Sequence, residues 1–297
     1  MKTKRIILIC PAQRPAVAAL AVKQPLVLAP FLGQSVLEHA LAHYAATGAT
    51  EISVLASDRP ESIRAALGHG ERWGVKLTVV GETAEPDVAA ARARHGHGQA
   101  SAAEVWLLDR LPQLPEHPLW DSPAAWLAAQ LALLPRAAKE RVGMRQRAPG
   151  VFVGLRSRIA EDATLQGPCW IGTNVRIGSG AVVGPHAIIE DGSFVDEGAE
   201  VGHSVVGPET YVGAQTELRD SFAHGADLLN LRNGSRATLT DRFLLGDLSR
   251  AEPEEPRNEG RSRTGKAAGV RRLLAKGRRI LRRIRLTATA ADEPCRH

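Results

Sequence analysis

Aliphatic residues recur at every sixth position through the middle of the chain, with one step shortened to five. The set is Ile159, Leu165, Ile171, Ile177, Val183, Ile189, Val195, Val201, Val206, Val212 and Leu218. Six residues are not a whole number of helical turns, and an ordinary two-residue strand repeat leaves the intervening glycines unexplained. A period of six predicts a β-helix, in which three short strands make one turn of about eighteen residues.

Glycine often follows the aliphatic residue directly, as at Gly172, Gly178 and Gly184, and small residues cluster four positions after it. Such residues fit corners that need close packing or a positive φ. The pattern resembles that of the hexapeptide-repeat proteins, which implies a left-handed β-helix. We assign it to residues 151–248, including a closing segment that covers the open strand edges. The coil alone is compatible with a packing and oligomerisation module, so we expect a homo-oligomer.

Residues 1–115 alternate between strand-like and helix-like patterns, and residues 116–150 follow as a connecting helix and linker. Ser35 and Glu38 have capping-box spacing at the start of the first helix, and Gly48 marks its end. An amphipathic helix is predicted over 117–134, with its tryptophans in the core. Strands are predicted at 5–10, 51–57, 75–80 and 104–109. This order predicts an α/β, Rossmann-like N-terminal domain with a parallel sheet.

The C-terminal region changes character twice. Residues 249–269 are rich in charge, proline and glycine and predict a disordered linker. Residues 270–286 predict a basic amphipathic helix with aliphatic residues on one face. Its other face would carry Arg271, Arg272, Lys276, Arg278, Arg279, Arg282, Arg283 and Arg285. This separation favours an anionic membrane surface, and an acidic protein partner is the alternative. No specific nucleic acid is expected, because aromatic residues for stacking are absent.

The charge distribution changes how the net charge of +6 is interpreted. Residues 257–297 hold 13 Lys/Arg and 3 Asp/Glu, so the remaining 256 residues carry 25 and 29 and are mildly acidic. Three widely spaced cysteines, Cys10, Cys169 and Cys295, predict neither a disulfide framework nor a metal site. No run of about 18 apolar residues or signal-peptide core occurs. We therefore predict a cytoplasmic protein that is peripheral at the inner face of the membrane.

The segment "LAPFLGQSVLEHALAHYAATGATEISVLAS" (28–57) resembles the sugar nucleotidyltransferases, specifically the glucose-1-phosphate and mannose-1-phosphate enzymes. That family usually joins an α/β domain to a C-terminal left-handed β-helix. The resemblance implies that Arg14 and Lys23 contact a nucleotide and that Asp109 binds Mg²⁺. The same residues also fit simple roles, as two surface charges and a turn residue.

The chain departs from this family at the phosphate-binding loop. The segment "CPAQRPAVAAL" (10–20) contains no glycine, and Pro11 and Pro15 remove two amide donors that a phosphate would need. Only about 40 residues separate Asp109 from the coil, where the family has its sugar-phosphate half. We therefore predict a reduced, non-catalytic relative that binds a sugar nucleotide or acts as a scaffold in surface-polysaccharide metabolism. An active nucleotidyltransferase is one alternative.

A hexapeptide-repeat acyltransferase with an acyl-CoA donor is the other alternative. Such an enzyme needs a general base, and His186 and His203 are the candidates because histidine accepts protons near neutral pH. Both lie at corner positions of the repeat, where a solvated histidine is equally well accommodated. His95 and His97 have no third metal ligand nearby in the sequence, so no metal site is predicted.

Overall fold

A computed structural model describes residues 4–96, 103–249 and 284–286 of the chain. Its first part is an α/β unit with a four-stranded parallel sheet, whose strands lie in the order Lys76–Gly81, Ala49–Ala56, Lys4–Ile9 and Glu104–Leu107. Short 3₁₀ helices lie at Pro15–Ala21, Leu26–Leu28 and Glu71–Trp73. The main elements are β1 (Lys4–Ile9), β2 (Pro30–Phe31), β3 (Gln34–Ser35), α1 (Val36–Ala46), β4 (Ala49–Ala56), α2 (Pro60–Leu67), β5 (Lys76–Gly81), α3 (Val88–His95) and β6 (Glu104–Leu107).

Local signals in the sequence place α1 correctly. The Ser35 side chain accepts a hydrogen bond from the Glu38 amide, and the Glu38 carboxylate accepts one from the Ser35 amide. Both halves of the predicted capping box are therefore confirmed. Gly48, at φ 89°, ends the helix in the left-handed conformation that glycine tolerates best.

The connecting helix differs from its prediction. Helix α4 spans Pro123–Glu140 and continues through Pro135, whereas the sequence predicted residues 117–134. Its start is set by Ser122, whose hydroxyl accepts a hydrogen bond from the Ala125 amide at 3.0 Å. Trp120 lies before the helix, and its indole nitrogen donates to the Leu108 carbonyl oxygen at 2.8 Å. This contact holds the preceding turn against the end of β6.

The rest of the described chain, preceded by β7 (Arg145–Ala148), is a coil of parallel strands compatible with a left-handed β-helix. The strands are β8 (Val151–Val153), β9 (Arg158–Ile159), β10 (Thr164–Leu165), β11 (Cys169–Ile171), β12 (Arg176–Ile177), β13 (Val182–Val183), β14 (Ala187–Ile189), β15 (Phe194–Val195), β16 (Glu200–Gly202), β17 (Ser204–Val206), β18 (Thr210–Val212), β19 (Thr216–Arg219) and β20 (Ser221–His224).

Three parallel sheets form the faces of this coil. We call β8, β11, β14, β17 and β20 the docked face, β9, β12, β15 and β18 the ladder face, and β10, β13, β16 and β19 the third face. Trp170 pairs with Ile188, eighteen residues on, and Ile188 pairs with Val205, seventeen on. The shorter interval accommodates the five-residue step in the sequence. The predicted aliphatic residues from Ile171 to Leu218 are buried along the axis of the coil.

The corners of the coil bring backbones of successive turns close together. At Gly184, φ is 102° and an added Cβ would lie 1.9 Å from the Gln166 carbonyl oxygen. Only glycine fits this corner, because any side chain would clash with the backbone of the preceding turn. This packing explains the glycines that follow the aliphatic residues.

The α/β unit packs on the docked face. Trp170, Ile188, Val205 and Phe222 point outward from that face and belong to the same apolar core as α1 and α4. Trp126 of α4 lies against Phe222, with ring centroids 5.0 Å apart. The two parts of the chain therefore share one continuous core.

The C-terminal end of the coil is covered on all three faces. The antiparallel strands β21 (Asp227–Asn230) and β22 (Arg236–Thr238) extend the docked face, and β23 (Leu245–Asp247) pairs with β18. Strand β24 (Ile284–Leu286) pairs in parallel with β19. These strands cover the open edges, as expected for a closing segment.

Strand β24 corrects part of the tail prediction. Residues 284–286 were expected to end an amphipathic helix, but they are extended, because Leu286 is buried in the coil core beside Leu218. Arg285 therefore lies in a strand. The other predicted basic residues of the tail, between 271 and 283, fall outside the described residues, and their membrane or partner role stays a prediction.

Candidate functional site

The first candidate site lies at the carboxyl ends of β1 and β6. Tertiary folding brings together Arg14 and Asp109, with a guanidinium nitrogen 3.0 Å from the carboxylate. Glu85 lies in the segment that follows β5, and each of its oxygens accepts a hydrogen bond from Arg14, at 3.0 and 2.8 Å. The amide of Ala12 donates to the same carboxylate at 2.9 Å. A carboxylate of the chain itself thus pairs with both the Arg14 guanidinium and the Ala12 amide.

The charge state of Glu85 fits this role. Burial by itself raises the pKa of a carboxyl group, but the hydrogen bonds from Arg14 and Ala12 outweigh it. They hold the pKa of Glu85 below its usual value. Glu85 is therefore a permanent anion near neutral pH and competes directly with any incoming phosphate. The sequence did not reveal this residue, because nothing in its local pattern marks it.

Lys23 lies away from this loop. Its ammonium group is 3.0 Å from Asp227 and donates to the His224 carbonyl oxygen at 2.6 Å, at the far end of the coil. Burial opposes ionisation of Asp227, but bonds from Thr238, Lys23 and Arg236 lower its pKa to about 2. Lys23 therefore ties the α/β unit to the closing strands and does not join Arg14 and Asp109.

We predict that a nucleoside triphosphate with Mg²⁺ will not raise the melting temperature of the wild-type protein, because Glu85 already occupies the Arg14 guanidinium.

Glu85→Gln should lower the free energy of unfolding by about 1–2 kcal/mol, because Arg14 loses a charged acceptor. Urea titration of the variant and of Glu116→Gln, an exposed carboxylate on a turn, measures this loss. Release of pyrophosphate from a nucleoside triphosphate and a sugar-1-phosphate by the wild type would refute this interpretation of the loop.

The second candidate site is a corner between the third and docked faces. His186 and His203 occupy equivalent positions on successive turns, because Ala187 pairs with Ser204. Their rings are 5.9 Å apart, edge to face, and both side chains are exposed. One turn further, Asp220 accepts a hydrogen bond from His203 Nδ1 at 2.6 Å. We call His186, His203 and Asp220 the histidine corner.

The histidine corner has a fixed geometry. The amide of His186 donates to the Pro168 carbonyl oxygen at 2.7 Å, and that of His203 to the Pro185 carbonyl oxygen at 2.9 Å. Arg232 lies 2.7 Å from the second oxygen of Asp220 and holds that carboxylate in place. Asp220 is missing from the sequence-based candidates, although it follows His203 at one seventeen-residue turn. The period of the coil was the signal that marks it.

The hydrogen bond to Asp220 sets the tautomer of His203. A carboxylate oxygen only accepts, so Nδ1 carries the hydrogen, and in the neutral ring Nε2 then has the lone pair. A lone pair on an exposed imidazole can take a proton from an amine or hydroxyl group near neutral pH. The arrangement is a histidine oriented by a carboxylate, which is the geometry that a general base requires.

The other candidate residues that the structure describes form no similar pair of a histidine and a carboxylate on an exposed corner. His95 contacts Glu82 at 2.7 Å, and His97 lies outside the described residues. Cys10 and Cys169 are buried free thiols, and burial raises the pKa of Cys169 to about 12. Within the ranges 4–96, 103–249 and 284–286, no group of three side chains is arranged to hold a metal ion. No helix in those ranges has the length and apolarity to cross a bilayer.

Comparisons with known proteins found distant likenesses among solved structures. No family model and no curated protein matches the chain. Among solved structures, it is similar to a mutant perosamine N-acetyltransferase from Caulobacter crescentus, crystallised with CoA and GDP-perosamine. The identity is 11% over 75% of this chain and 93% of that chain, with a TM-score of 0.17. This overlap is too loose to argue function, and nothing in the comparisons supports a nucleotidyltransferase.

Proposed function

We propose that this protein is an acyltransferase that moves an acyl group from a CoA thioester to an amine or hydroxyl acceptor. The observation that carries the proposal is the hydrogen bond of 2.6 Å between His203 and Asp220 on an exposed corner of the coil. The hexad-built coil is the scaffold on which such bases occur in the hexapeptide-repeat acyltransferases that the sequence resembles. The α/β loop supports the other candidate function poorly, because Glu85 satisfies Arg14 internally.

The proposed reaction needs one proton carrier. His203 Nε2 removes a proton from the acceptor as its nitrogen or oxygen attacks the thioester carbonyl carbon. The resulting imidazolium is stabilised by Asp220, which is held by Arg232. Collapse of the tetrahedral intermediate breaks the carbon–sulfur bond, and the imidazolium returns the proton to the departing thiolate. The acceptor gains an acyl group, CoA leaves as a free thiol, and His203 regains its neutral form.

We predict that His203→Ala lowers kcat/KM for acyl transfer by at least 100-fold, the usual contribution of general-base catalysis. Asp220→Asn should lower it by about 10-fold or more and alter the pH profile, because the tautomer of His203 is no longer fixed. Free thiol release is measured with acetyl-CoA and longer acyl-CoAs against amino sugars and hydroxyl acceptors. His69→Ala, an exposed histidine of the α/β unit, is the matched control and should retain full activity.

Two results would reject this function. One is the absence of acceptor-dependent thiol release with every acyl-CoA tested. The other is thiol release that His203→Ala leaves unchanged, which would mean that another group is the base. His186→Ala tests the neighbouring ring, whose centroid is 5.9 Å from that of His203. A larger loss of kcat/KM in this variant than in His203→Ala would mean that His186 is the general base.

A further inference from the structure

The ladder face carries an ordered column of outward side chains. Arg158 pairs in register with Arg176, Arg176 with Phe194, and Phe194 with Tyr211. The two arginines are exposed and the two aromatic residues are half-buried. We call these four residues the arginine–aromatic ladder. Its rungs are about 4.8 Å apart, the spacing of neighbouring strands.

The two arginines of the ladder have no polar partner among the described residues. In the described part of the chain, neither Arg158 nor Arg176 takes part in an ion pair or a side-chain hydrogen bond. Like charges directly opposite on neighbouring strands destabilise a sheet. By contrast, Glu217 on the third face contacts Arg219, and the docked face is covered by the α/β unit.

The aromatic half of the ladder is held in place. The rings of Phe194 and Tyr211 have centroids 5.5 Å apart, and the Tyr211 hydroxyl donates to Asp196 at 2.6 Å. Their positions are therefore fixed on the flat surface of the sheet. A fixed aromatic ring attracts a guanidinium group placed over its face.

If a second ladder is placed over the first in the reverse order, each arginine of one copy lies opposite an aromatic residue of the other. We propose that two copies of the protein associate through their ladder faces, about a two-fold axis that runs along the strands between β12 and β15. Arg158 then lies opposite the partner's Tyr211, and Arg176 opposite the partner's Phe194. The axis repeats both contacts, which gives four arginine–aromatic contacts in one isologous interface.

The neighbouring corner of the coil fits the same arrangement. Arg156 stands at the start of that corner column, two residues before Arg158, and Glu209 stands at its end, two residues before Tyr211. Both are exposed, with φ of 60° and 49°, and neither has an ion-pair partner in the described ranges. The proposed axis places Arg156 opposite the partner's Glu209. This second match is independent of the ladder.

The other two-fold arrangement of this face is unfavourable. If the axis ran along the coil, Arg158 would face the partner's Arg158 and Arg176 the partner's Arg176. Four rungs also extend over only about 20 Å along the coil, so the ladder forms a small contact surface. We therefore expect a concentration-dependent dimer. The ladder face lies across the coil from the histidine corner, so this inference does not rest on the proposed function.

The test exchanges two rungs of the ladder in the full-length protein. Phe194→Arg places Arg176 opposite a second arginine, and it should raise the dimer dissociation constant at least 10-fold in sedimentation velocity. The double variant Arg176→Phe with Phe194→Arg re-forms an arginine–aromatic contact across the axis. It should return the dissociation constant to within about 3-fold of the wild type. Arg92→Phe, at an exposed site on α3, is the matched control and should not change it.

Thermal unfolding of each variant separates a lost interface from a lost fold, because a variant that still unfolds in a cooperative transition is folded even where the added like charge lowers its melting temperature. Several outcomes overturn the proposal. They are a wild type that stays monomeric to several hundred micromolar, a mass that corresponds to three copies, association that Phe194→Arg leaves intact, and a double variant that fails to recover.

Discussion

Raising the pH from about 5 to about 8 should lower the contribution of Glu190 to the free energy of unfolding by roughly 3–5 kcal/mol. Glu190 is 1% exposed at the junction between the coil and the α/β unit, where it accepts a hydrogen bond from the Gly33 amide at 2.6 Å. Burial is the main cause that raises its pKa from 4.5 to about 8, and the neighbouring Asp191 adds to it. The native protein therefore keeps a neutral acid here.

The sign of the effect follows from proton binding. Between pH 4.5 and about 8 the folded state holds the Glu190 proton, and the unfolded state has released it. Stability from this group is fully present below pH 4.5 and is lost as the pH rises through 8. His224 acts in the opposite direction at lower pH, because burial, followed by Lys23, lowers its pKa to about 4.

Glu190→Gln isolates the contribution of Glu190 ionisation to the free energy of unfolding, because glutamine has a similar shape and does not ionise. The difference in unfolding free energy between wild type and variant, measured by urea titration from pH 5 to 9, should grow in favour of the variant as the pH rises. Glu197→Gln, an exposed carboxylate of the same coil, should show no such trend. A difference that stays constant across this range would mean that Glu190 is ionised throughout.

Trp126→Ala should lower the free energy of unfolding by about 3–5 kcal/mol and the melting temperature by roughly 10 °C. Trp126 is completely buried, and its ring packs against Phe222 of the coil at 5.0 Å. Its removal leaves a cavity in the core shared by α4 and the docked face. The coil has its own axial core, so we also expect the α/β unit to unfold first and separately.

Differential scanning calorimetry measures both effects of Trp126→Ala. Trp126→Phe keeps an aromatic ring in the core and should lose less than half as much stability. Trp106→Ala is the control on the α/β unit. It should lower the free energy of unfolding much less than Trp126→Ala does, because Trp106 is 48% exposed. A single transition at the wild-type temperature in Trp126→Ala would show that the junction contributes nothing to stability.

The sequence alone was sufficient for features built from short intervals. The hexad spacing identified the inward residues of the coil, and the Ser35–Glu38 pair placed the start of α1. Both signals arise within one repeat or one helical turn, so no distant residue alters them. The predicted helix at the C-terminus failed at residues 284–286, because a distant strand edge at β19 was available for pairing.

Only the tertiary structure decided what the candidate sites contain. Arg14 meets Glu85 from 71 residues away, and the Gly33 amide meets Glu190 from 157 residues away. Lys23 meets the His224 carbonyl oxygen from 201 residues away. A linear pattern gives residue types and their local spacing, which here determined the coil and its repeating faces. Which charged residues become partners depends on how separate segments pack together. That packing is driven by burial of apolar residues on the docked face and not by the charges themselves.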